Sequence, residues 1–272
     1  MEIKVADVAK LRKMTGAGMM DCKKALMEAN GDYDRAQEII REKGKLVASK
    51  RADRSATEGV VVAKVVGQKA YMLCLACETD FVAKNAEFGA SAEAILEVAV
   101  ANDAADMDAL LALKMGDVTV ADAVTEKSGQ TGEKVELPFY GKIEAPMVAA
   151  YVHMNKKLGA LVGFNKEVPE EVAHDVAMQA TAMAPVSISR EDCPADVIEK
   201  ERHIGREQAR LDGKPEAMLD KIAEGKLNKF FAESTLLEQA FVKNPKQNVG
   251  AYIKAAVSDA TVVAYKRFSL ND

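Results

Sequence analysis

Hydrophobic spacing divides the chain into helical and extended stretches. Up to about Lys43 the apolar positions recur at helical intervals: Val5, Val8 and Leu11, then Cys22, Ala25 and Leu26, then Tyr33, Ala36, Ile39 and Ile40. Thr15-Gly16-Ala17-Gly18 and Asn30-Gly31-Asp32 break the pattern, with Asp32 or Asp34 as N-cap, so three short helices are expected. So small a bundle buries little and suits a docking unit.

Beyond the polar linker from Ser49 to Ser55 the period becomes extended. Gly59 to Val66 and Ala70 to Cys77 flank Gly67-Gln68-Lys69, which reads as a hairpin. Thr79 or Asp80 then starts a helix with Phe88, Ala92, Ile95, Leu96, Ala99 and Val100 on one face. The order recurs as Ala145 to His153, the turn Asn155-Lys156-Lys157, Leu158 to Phe164, and a helix from Glu167 to Met183. A duplicated strand-strand-helix unit is the economical reading. Between the copies, Met107 to Leu113 and Val118 to Lys127 read as helices and Lys134 to Ile143 as a strand.

After Pro185, Ala195 to Leu211 is highly charged, with Val197, Ile204 and Leu211 seven residues apart. A turn at Asp212-Gly213-Lys214-Pro215 leads into Glu216 to Phe231, so a projecting helical hairpin with a narrow heptad seam is expected. A helix from Asn248 to Val257 and a strand from Thr261 to Leu270 close the chain, the strand rejoining the second sheet. The fold class is α+β. The expected domains are residues 1–54 for the three-helix unit and linker, 55–143 for the first core subdomain, 144–184 with 232–272 for the second, and 185–231 for the inserted arm.

Composition narrows the function more than the fold. A net charge of -5 and scattered His153, His174 and His203 leave no basic face for nucleic acid. Lys43, Lys45, Lys50, Arg51 and Arg54 read as a solvated helix end and linker. No stretch is long and apolar enough for a membrane span, and Met1-Glu2-Ile3-Lys4 begins no signal core, so a cytoplasmic protein is expected.

Candidate chemistry is sparse. Gly16-Ala17-Gly18 follows a helix rather than a strand and lacks the spacing of a phosphate loop. Cys74 and Cys77 have no second pair for zinc and lie in a strand, so they read as structural. No nucleophile constellation stands out, and neither cofactor, metal site nor catalytic residues are expected. Met19 and Met20 form an adaptable contact surface, or one of them is buried. Phe81 lies seven residues before Phe88, which puts it on the core stripe, and Asp80 reads as a helix cap.

Two motifs carry a resemblance. Thr15-Gly16-Ala17-Gly18-Met19-Met20-Asp21-Cys22-Lys23-Lys24-Ala25-Leu26, followed by Asn30-Gly31-Asp32, and Thr79-Asp80-Phe81-Val82-Ala83-Lys84 resemble bacterial elongation factor Ts. The likeness continues through Gly213-Lys214-Pro215 and Glu224-Gly225-Lys226 to the closing helix and strand. It implies a non-enzymatic guanine-nucleotide exchange factor for elongation factor Tu. Its parts would be an N-terminal domain of the ubiquitin-associated type, two related core subdomains and a coiled-coil dimerisation arm that permits a homodimer or a two-to-two complex.

The resemblance also implies roles for residues. Asp80 and Phe81, within Thr79 to Lys84, would enter the GTPase domain, disturb its magnesium site and its phosphate-binding loop. Arg12, Met19 and Met20 would dock on a helix of that domain, and the second core subdomain would touch a neighbouring one. The chain stops at Ser269-Leu270-Asn271-Asp272, short of the C-terminal helix many members carry, which shifts the expected affinity towards Phe81 and the methionine surface.

Overall fold

The computed structural model describes residues 3–271. Three helices open the chain: α1 (Val5–Thr15), α2 (Met19–Glu28) and α3 (Tyr33–Lys50). Val8, Leu11, Ala17, Cys22, Ala25, Leu26, Ala29 and Ala36 form their core. Asp32 caps α3 by accepting from the amides of Asp34 and Arg35 at 2.9 and 3.0 Å, which settles the choice of N-cap. The third helix is longer than its apolar stripe predicts. Its exposed final turns run through Ser49 and Lys50, which were expected in the linker, because lysine is a good helix former even where it packs on nothing.

Strands β1 (Glu58–Val66) and β2 (Lys69–Cys77) lead to a short helix α4 (Asp80–Ala83) and a long one, α5 (Ala86–Ala101). Next come α6 (Met107–Ala112), the small antiparallel pair β3 (Lys114–Met115) and β4 (Val118–Thr119), α7 (Val120–Thr131) and β5 (Glu136–Glu144). The helix expected from Val118 thus begins two residues later, capped by Thr119, and runs on to Thr131. The first sheet has the order β1-β2-β5, so β2 is central and Ala70 to Cys77 are buried on both faces.

A second sheet has the order β10-β7-β6, from β6 (Met147–Val152), β7 (Leu158–Phe164) and β10 (Val262–Ser269). Both neighbours pair antiparallel to β7, and the closing strand joins this sheet as expected. Helix α8 (Glu170–Met183) covers it, with Val172, Val176 and Ala180 in a core shared with Phe164, Leu236, Phe241 and Ile253. The helices α9 (Ala195–Leu211) and α10 (Leu219–Ser234) form the hairpin arm. The sequence pattern did not reveal the small pair β8 (Ala240–Phe241) and β9 (Asn244–Asn248) before α11 (Val249–Ala256). Asp175 and Gln179 of α8 hold that region: the Tyr252 hydroxyl donates to Asp175 at 3.0 Å, and the Val242 amide to Gln179 at 2.9 Å.

The arm corrects the predicted seam. Val197 packs against Leu227 and Phe231 of α10, but Ile204 is exposed and Leu211 is 88% exposed, so the heptad line faces the partner helix only at its start. Further along, Gly205 and Ala209 are the buried residues of α9, and Gly205 faces Ala223 of α10. Small residues let the backbones approach: a Cβ on Gly205 would lie 3.3 Å from the Cα of Ala223. Arg202–Glu224 (2.6 Å) and Arg206–Asp220 span the two helices, and Arg210–Glu216 (2.9 Å) ties α9 to the turn before α10.

The chain forms two compact units. Among the described residues, one comprises Ile3 to Val62, Leu73–Gly141 and Leu270 with Asn271; the other comprises Ala63–Met72 and Lys142–Ser269. In the first, α3 packs on α7, where a Cβ on Gly129 would collide with the Cα of Gly44. The Arg41–Glu126 pair at 2.9 Å flanks that contact.

Candidate partner-docking site

The junction between β2 and α4 is built by caps. Thr79 is extended at φ -122° and ψ 153°, and its hydroxyl accepts from the Val82 amide at 3.5 Å, starting α4. After one turn the chain leaves the helix, and Asn85, again extended, restarts it by accepting from the Glu87 amide at 2.8 Å. A single helix from Thr79 or Asp80 was expected; there are two. Helical phase does not carry across such a break, so the seven-residue spacing from Phe81 to Phe88 has no structural meaning.

Phe81 is accordingly 85% exposed whereas Phe88 is 2% exposed. The core reading of Phe81 is overturned. Asp80 and Lys84 pair across the turn at 2.6 Å, and this contact holds the Asp80 carboxyl below its usual range. Val82 and Ala83 are half-buried, and Lys84 is exposed. The predicted stretch therefore presents one large aromatic beside an exposed ion pair.

Beneath that tip lies a network the sequence did not reveal. Glu133 accepts from the amides of Glu78 and Thr79 at 3.1 and 3.0 Å, and from the Thr79 hydroxyl at 2.6 Å. Glu78 reciprocates by accepting from the Lys134 amide at 2.6 Å. Arg51, the C-cap of α3, places one Nη1 at 2.8 and 3.0 Å from the two Glu78 oxygens. The Lys134 amide, assisted by Arg51, holds the Glu78 carboxyl below its ordinary value. Gly132, at φ 73°, ends α7 and turns the chain so that Glu133 follows at once. A helix-ending glycine was the one local signal; the 54-residue separation hid the partner.

The second predicted group lies on α1 and α2. Arg12 is exposed, Met19 is 39% exposed and Met20 63%, so neither methionine belongs to the core. The alternative with one of the pair buried is excluded. Gly16 at φ 68° closes α1 with its amide donating to the Arg12 carbonyl at 2.7 Å. Gln130 of α7 donates to the Thr15 carbonyl at 2.6 Å, fixing the α1–α2 turn. Arg12, Met14, Met19, Arg41, Lys127 and Gln130 are among the residues lining a cleft of about 730 Å³.

The cysteines fit no reactive role. Cys74 and Cys77 are buried, chiefly by burial both thiols are pushed up to about 12, and Cys77 donates to the Thr79 carbonyl at 3.3 Å. Among the described residues no group of His, Cys, Asp or Glu has the arrangement to hold a metal ion, and no helix is long and apolar enough to cross a membrane.

The family model described as Elongation factor TS matches residues 78–272, starting at the residue that anchors this junction. The chain is 46% identical over 272 residues to elongation factor Ts of Azobacteroides pseudotrichonymphae, covering 100% of this chain and 99% of that relative. The chain belongs to the elongation factor Ts family. Identity is likewise 46% to elongation factor Ts of Porphyromonas gingivalis, with the same coverage, and 45% to that of Christiangramia forsetii, covering 99% of both chains. Membership of the elongation factor Ts family places the chain in protein biosynthesis, at translation elongation.

Proposed function

We propose that this chain is a guanine-nucleotide exchange factor for elongation factor Tu. The observation that carries the reading is Phe81, 85% exposed on a helical turn that is capped at Thr79 and braced by the Asp80–Lys84 pair. Phe81 is the only aromatic among the exposed large hydrophobics of the described residues, which suits a wedge for a partner's pocket. Phe81, with Asp80 beside it, enters the GTPase domain near its magnesium and phosphate site. Arg12, Met19 and Met20 dock on a helix of that domain.

Exchange then follows from linkage. If factor and nucleotide each weaken the other's binding, the loss is reciprocal, so the factor speeds GDP release and incoming GTP ejects the factor. The factor must prefer the GTPase conformation with impaired magnesium and phosphate contacts, because equal affinity for both conformations shifts nothing. No bond is made or broken, so the chain is not an enzyme in its own right.

Within this reading residues 1–54 serve as the docking domain of the ubiquitin-associated type and 55–143 as the core subdomain that presents the wedge. Residues 144–184 with 232–272 form the subdomain that touches a neighbouring GTPase domain, and 185–231 the arm available for a homodimer or a two-to-two complex. The site of action is the cytoplasm, with translation. Release of fluorescent GDP from elongation factor Tu tests the proposal. Acceleration at stoichiometric factor supports it; an unchanged release rate refutes it.

A further inference from the structure

We propose that Glu133 is a positioning residue for the Asp80–Phe81 wedge, acting as a carboxylate clamp on the backbone that enters α4. The inference rests on the exchange reading and adds a residue remote in sequence from the wedge. One Glu133 oxygen takes the two consecutive amides of Glu78 and Thr79, and the other takes the Thr79 hydroxyl. Those amides follow the last residue of β2, where the sheet ladder stops, and no helical carbonyl exists to receive them. The Thr79 hydroxyl is thereby oriented with its lone pairs towards the Val82 amide, so one carboxylate fixes both the strand exit and the helix cap.

The clamp is reciprocal. Glu133 holds the backbone of Glu78 while Glu78 holds the backbone of Lys134, and Arg51 neutralises the Glu78 side. Two chain crossings tied by charge-assisted bonds cannot rotate independently. Phe81 sits two residues beyond the clamped amides and is 85% exposed, with little burial of its own to fix it, so its direction is set at this base. Glu133 touches neither nucleotide nor the exposed tip; it acts through Phe81.

The test uses the full chain with elongation factor Tu loaded with fluorescent GDP, and reads the maximal release rate separately from the factor concentration giving half of it. Glu133→Ala is expected to lower the maximal rate by roughly tenfold or more, since misplacing a positioned group by about 1 Å has effects up to a hundredfold. The half-saturating concentration should stay within about twofold, because the docking surface of Arg12, Met19 and Met20 is untouched. Glu133→Gln should recover most of the rate, as its carbonyl can take both amides and its NH2 can donate to Thr79. In a Phe81→Ala background Glu133→Ala should add little, the signature of residues acting as one unit.

A wild-type maximal rate for Glu133→Ala, a Glu133→Gln variant as slow as Glu133→Ala, or a full further loss on top of Phe81→Ala would each overturn the clamp. Should Glu133→Ala lose its circular-dichroism melt, Glu133→Asp carries the test: it keeps the charge, draws the carboxylate back by one methylene, and an unchanged rate overturns the proposal. If the unsubstituted protein fails to accelerate release, the exchange reading falls and the clamp with it. If Phe81→Ala slows release and Glu133→Ala does not, the clamp falls alone.

Discussion

Phe81 and Phe88 form a matched pair for separating a wedge from a core residue. With 85% of its surface exposed, Phe81 keeps only about 30 Å² of the roughly 200 Å² a phenylalanine can bury. At about 25 cal/mol per Å² that burial contributes about 0.8 kcal/mol. Alanine returns roughly half of this through its better helix propensity in α4. Phe81→Ala should therefore cost less than about 1 kcal/mol, whereas Phe88→Ala, at 2% exposure, should cost about 3–5 kcal/mol. Urea denaturation followed by circular dichroism gives both values on the same chain, and GDP release gives the functional half. Phe81→Ala is expected to keep the fold and slow exchange strongly. A stability loss of about 3 kcal/mol or more for Phe81→Ala would show that the aromatic is structural and would remove the wedge. Retained exchange in a folded variant would do the same.

Three further outcomes follow from the packing and charges. Gly129→Ala pushes α7 off α3, since its Cβ meets the Gly44 backbone, and should cost about 1–3 kcal/mol in denaturant midpoint; an unchanged midpoint refutes the close approach. The Glu78 carboxyl is held low in the folded chain, so its stabilisation is complete above the unfolded value of about 4.3 and fades as pH falls through the lower folded value. The stability gap between wild type and Glu78→Gln should thus be widest near neutrality and close on acidification; a gap that grows in acid has the wrong sign. Cys74 and Cys77, with thiols at about 12, should resist a thiol reagent at about pH 8 until the chain unfolds, and rapid labelling of either in the native protein would contradict their burial.

What could be read from the sequence depended on whether the signal was local. Val8, Leu11, Cys22, Leu26 and Ala36 lie where helical spacing places them, and the Gly67 turn was legible for the same reason; the return of the last strand to the second sheet was expected as well, but the order of strands within each sheet was not. Period arguments failed where continuity was assumed. Asn85 breaks the helix between Phe81 and Phe88, and Gly205 and Ala223 draw the arm together on a face the larger Ile204 and Leu211 do not share. The site divides likewise. Exposure of Met19 and Met20 was one of two readings available beforehand, but the contacts of Glu133 and Arg51 join segments with no pattern in common.

A wedge works only if its direction is fixed before the partner arrives, because ordering a loop during binding consumes interaction energy otherwise available to disturb the partner. The exposed tip cannot order itself, having almost no burial. Order must come from beneath, and Arg51, Glu78, Thr79 and Glu133 supply it with hydrogen bonds between 2.6 and 3.1 Å. Arg51 is also the C-cap of α3, whose earlier turns hold Ala36 and Ile39 against the core that carries the exposed methionines. The core of the three N-terminal helices and the base beneath Phe81 are therefore joined through one continuous helix. Under the proposed mechanism, a partner that engages Met19 and Met20 would meet a Phe81 whose orientation is already decided, so docking energy would reach the nucleotide site through the braced base instead of being spent on ordering the junction.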